Sequence, residues 1–70
     1  MTETPATYTT PTPPLAIELR RAAAIFENDA HGQIADGELM EAIICLYQAM
    51  RMRRMARDVE AAVDKARAHD

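Results

Sequence analysis

The sequence predicts an all-α fold: a hairpin of a short helix, a glycine-containing turn and a long second helix, completed by self-association. Three observations carry this. Apolar residues recur at spacings of three and four, as on one face of a helix, and no alternating strand pattern appears. All four prolines lie in the first fourteen residues, and both glycines, Gly32 and Gly37, fall in one central stretch. The chain has 70 residues, and a core of that size rarely supplies more than about 3–5 kcal/mol without a disulfide, a metal or a second chain.

Composition removes several classes. The single cysteine, Cys45, excludes an intrachain disulfide and reads as a small hydrophobe on an apolar helix. The longest uncharged apolar stretch, near Ala42–Met50, is far short of the roughly 20 residues that span a bilayer, so no membrane partner is expected. No basic start followed by an apolar run marks the N-terminus, and a cytoplasmic location is the expectation. A net charge of -3 argues against a dedicated nucleic-acid binder.

Residues 1–13 are Thr/Pro-rich without apolar periodicity and read as a disordered tail; residues 14–70 form the helical hairpin. The first helix should begin near Pro13–Leu15, with Thr12 as N-cap and prolines tolerated in the first turn. Leu15, Leu19, Ala22 and Phe26 give it an apolar face, and its expected length is about sixteen residues. The second helix should start near Asp36 or Gly37 and run to Ala68, with Lys65, Arg67 and His69 at the negative pole of its dipole.

Between them stands FENDAHGQIADGELMEAI, residues 26 to 43. Phe26 precedes a twelve-residue segment, Glu27–Glu38, with Asp29 third, Gly32 sixth, Ile34 eighth and Glu38 last, followed by Leu39. Apolar residues flank it at Leu19, Ala22, Ala23, Ala42, Ile43 and Leu46. Over residues 19–46 this pattern resembles a single, degenerate EF-hand. The resemblance implies a calcium loop with ligands Glu27, Asp29, the Gln33 carbonyl and Glu38. Glu27 is a methylene longer than the usual first ligand, and His31 puts nitrogen where a hard cation wants oxygen. The implied affinity is therefore weak, on the scale of about 10⁻³ M or poorer, and no other cofactor is expected. The same residues also suit an ordinary connection capped by glycine, with Asp36 and Glu38 favourably placed at the start of the second helix.

The second helix carries two stripes. Leu39, Ala42, Ile43, Leu46 and Met50 share one face, expected to pack against Leu19, Ala22 and Phe26 within the hairpin. Met52, Met55, Val59, Ala62, Val63 and Ala66 lie on roughly the opposite face. A helix of about sixteen residues spans roughly 24 Å and covers only half of a second helix of roughly 48 Å. The second stripe is thus expected between chains, in a homodimer or against another protein. Arg51, Arg53, Arg54 and Arg57 form a basic patch, read as a solvated face or as a contact for an acidic protein surface.

No serine, no Gly-rich phosphate loop and only two histidines, His31 and His69, leave catalysis without a constellation, so no enzyme is expected. The reading is a small non-catalytic interaction or regulatory module acting through a self-associating or partner-binding helix. The alternatives are a weak EF-hand-like calcium binder and a small helical nucleic-acid-associated regulator using the Arg51–Arg57 patch.

Overall fold

The computed structural model describes residues 12–68. They form two helices, α1 (Pro14–Ala35) and α2 (Leu39–Ala68), packed side by side as a helical hairpin. The proposed tail lies almost wholly outside the described residues.

Alanine-rich sequence without internal proline favours helix throughout. Pro14 occupies the first turn of α1, where its missing N–H costs nothing. The N-cap is Pro13, not Thr12: its backbone is extended (φ -58, ψ 140), no side chain caps the helix, and its carbonyl accepts the Ile17 N–H at 3.2 Å. A fixed proline φ starts the helix without a hydroxyl.

α1 has 22 residues, more than the sequence pattern suggested, because it runs through Gly32 to Ala35. The segment Glu27–Ala35 is therefore helix, and only Asp36–Glu38 connects the two helices. The cost of one interior glycine is about 0.5–1 kcal/mol. Burial of Ala30 against α2 offsets it.

The turn is a Schellman motif. The Gly37 N–H donates to the Ile34 carbonyl at 3.0 Å and the Glu38 N–H to the Gln33 carbonyl at 2.7 Å. Gly37 takes φ 79, a left-handed conformation that a side chain opposes. The Glu38 carbonyl then accepts the Ala42 N–H at 3.0 Å and opens α2. Glu41 in the first turn and Lys65 and Arg67 in the last suit the dipole of α2.

The fully buried residues are all alanines: Ala16, Ala23 and Ala30 on α1, Ala42, Ala49 and Ala56 on α2. Each set repeats every seven residues, the period of a supercoiled helix pair. Alanine at the contact favours the short end of the usual 8–10 Å interaxial range. Half-buried Leu19, Phe26 and Gln33 border the seam on α1, and Cys45, Met52 and Val59 border it on α2, again seven apart. No large side chain is fully buried.

This arrangement divides each of the two faces read from α2: Ala42 of the first lies in the seam as expected. Met52, Val59 and Val63 are half-buried in the single chain. They need no second chain to cover them, because α1 is long enough to reach them. Of the stripe assigned between chains, Met55, Ala62 and Ala66 remain exposed. Leu39 and Ile43, expected inside the hairpin, are each 59% exposed. The seam follows the small residues rather than the large ones.

A candidate docking face on α2

Two ion pairs fix how the helices lie. Arg20 donates from Nη1 and Nη2 to the Glu60 carboxylate at 2.6 and 2.8 Å. Seven residues along α1 and seven back along α2, Arg53 donates from Nε and Nη2 to Glu27 at 2.9 and 2.6 Å. Forked guanidinium–carboxylate contacts of this kind are the stronger class of charged hydrogen bond. Arg53 hydrogen-bonding holds the Glu27 carboxyl below its usual range, and Arg20 does the same for Glu60. All four side chains stay about a third exposed, so solvent screens much of the attraction.

One further step of seven reaches Ile34 on α1 and Leu46 on α2. There α1 ends, one residue later, at Ala35. The first half of α2 packs against α1 through Ala42 and Ala49, which are buried. Its outward side carries Met40, Ile43, Tyr47 and Met50, at spacings of three, four and three, which align them as one stripe. Their exposures are 67%, 59%, 56% and 68%. Leu39, Ile44 and Leu46 flank them, and Ile34 of α1 adjoins; all four are also exposed.

The same stripe continues at spacings of four and three into Arg54 and Arg57. Arg54 lines a surface groove with Tyr47, Met50, Arg51, Met55 and Asp58. A second hollow beside it is lined by Met50, Arg53, Arg54 and Arg57. The Arg51 guanidinium lies 5.8 Å from the centre of the Tyr47 ring, near enough for a cation–π contact. Among the described residues Arg51, Arg54 and Arg57 have no ion pair. The basic patch read from sequence thus divides: Arg53 is committed to Glu27, and the other three face outward.

The residues of the implied calcium loop are not gathered. Glu27 is bound to Arg53. Asp29 and Glu38 are exposed, and the helical rise separates Glu27 from Ala35 by roughly 12 Å. Gln33 gives its carbonyl to the turn, and its side-chain Oε1 is buried without a hydrogen-bond partner. Among the described residues no group of three or more His, Cys, Asp or Glu side chains is placed to share a metal ion. No helix is long and apolar enough to cross a membrane.

Sequence reasoning missed the pairing of Arg20 with Glu60 and of Glu27 with Arg53. A signal for it was present: alanines seven apart on both helices, each series accompanied by charges of alternating sign at the same period. No family model matches the chain, and neither a curated protein nor a solved structure matches it.

Proposed function

We propose that this chain is a small non-catalytic protein-interaction module that docks through the outward face of the first half of α2. The supporting observation is the exposed stripe of Met40, Ile43, Tyr47 and Met50, with Leu39, Leu46 and Ile34 beside it. Burying one such side chain contributes about 1.5–3 kcal/mol, and contiguous exposed apolar surface of this kind marks interaction sites. Methionine adds adaptability to the face. The seam of the hairpin is alanine, so the large side chains are left for a partner.

The test is site-specific photocrosslinking in the native host. A photoreactive residue at Ile43 or Met50 should give adducts; one at Asn28, exposed on α1, should not. Adducts from Asn28 as readily as from Ile43, or none from Ile43 and Met50, would sink the reading.

A further inference from the structure

We infer that the occupant of this face is a second copy of the same chain, packed antiparallel against it along α2. The inference rests on the docking reading above and adds the partner and its register.

Charge is distributed along the stripe in an order that complements itself. From the turn outward it reads Asp36, then Met40, Ile43, Tyr47 and Met50, then Arg54 and Arg57. Acid stands at the turn end, Arg54 and Arg57 at the other with Asp58 beside Arg54, and apolar residues lie between. Asp36 and Glu38 are exposed and, among the described residues, have no ion pair. The midpoint of the apolar stretch falls between Ile43 and Met50. Asp36 and Glu38 lie about as many residues before it as Arg54 and Arg57 lie after it, roughly 12–16 Å along a helix.

A two-fold axis through that midpoint sets Ile43 against the partner's Met50. It carries Arg54 and Arg57 of each chain to the turn of the other, where the unpaired carboxylates stand. A contact of this kind uses the same patch on both chains and closes as a dimer. A parallel arrangement would instead put acid on acid and arginine on arginine. A uniformly anionic partner, such as nucleic acid or an acidic membrane, would suit the arginines but be repelled by the carboxylates at the other end of the stripe. The product is a bundle of four helices, with the large side chains of two alanine-seamed hairpins meeting in its middle.

Sedimentation equilibrium of the full chain tests this with two variants. One carries Asp36→Lys and Glu38→Lys; the other carries Arg54→Glu and Arg57→Glu. Wild type should be a dimer. Each variant alone should dissociate about tenfold more readily, because like charges now meet at both ends. An equimolar mixture of the two should recover association close to wild type. Recovery on mixing also shows that both variants fold. Should either lose its helical circular dichroism signal, the milder pair Asp36→Asn with Glu38→Gln, and Arg54→Gln with Arg57→Gln, should each weaken the dimer in the same direction.

A wild type that stays monomeric at several hundred micromolar overturns the inference. So does a dimer indifferent to both charge variants. The docking reading fails separately: crosslinks at Ile43 to a protein of different mass would keep it while removing the second copy, and absence of any crosslink would remove both.

Discussion

Glu27 and Glu60 each accept two hydrogen bonds from a single guanidinium, and each carboxyl titrates below the usual value of 4.5 as a result. A carboxylate whose folded pKa is lowered stabilises the fold above its unfolded value, and that contribution is lost as pH falls through the folded one. The melting temperature should therefore hold above about pH 5 and fall below about pH 4. Replacing both with glutamine should lower the melting temperature at neutral pH and flatten this acid limb, as thermal melts followed by circular dichroism would read. A slope unchanged in the double variant would assign the acid limb to other carboxylates. The two glycines make an opposed pair at the same scale. Gly32 lies in α1 with open space where a Cβ would stand, so Gly32→Ala should stabilise by about 0.5–1 kcal/mol. Gly37 holds φ +79, so Gly37→Ala should destabilise by about 1–2 kcal/mol. In a calcium loop Gly32 would be the intolerant position, which gives the comparison its force.

The elements were legible in unequal measure. The two helices follow from apolar spacing, alanine content and the confinement of proline and glycine. The end of α1 did not follow, since Gly32 and the acids around it fit a loop pattern as well as a helix. What decides for helix is tertiary: continuing to Ala35 brings Ala30 onto the seam and Glu27 to Arg53. The seam itself was hidden because hydrophobic pattern reading favours Leu and Ile, and the helices meet on alanine. Enlarging it should be costly. Ala49→Leu forces the helices apart and should destabilise by about 1–3 kcal/mol, most of what so small a core supplies. Ala24→Leu, on the exposed side of α1, should have little effect on the melt of the monomer. Equal effects from the two would mean that the helices do not meet at Ala49.

At the scale of the whole molecule, the hairpin is unbalanced: its buried residues are alanines and its largest apolar residues are outside. The arginine patch and the apolar stripe were both visible in the sequence. Their continuity on one outward face was not, because it depends on which side of α2 meets α1. Two substitutions separate the seam from the outward face. Val59→Asp puts a charge beside the seam and should unfold the single hairpin. Ile43→Asp changes an exposed position and should leave the intrachain helix contact intact, abolishing association instead. Helicity measured across a dilution series separates them. In that series Val59→Asp should be poorly helical throughout, while Ile43→Asp should match wild type only where wild type has dissociated. Wild-type melting temperature should rise with protein concentration, as expected when folding and association are linked.

Alanines repeating every seven residues cannot tell one alignment of the helices from another, since sliding α2 by one repeat lays alanine on alanine again. The charges beside them can. In the native alignment base meets acid and then acid meets base. A slide one way would bring Arg20 to Arg53; a slide the other way would bring Glu27 to Glu60 and Arg20 to Arg67. Either one-repeat slide sets like charge against like, so the pairs act as a vernier on the alanine repeat. Their worth lies less in the energy each adds than in the neighbours they forbid.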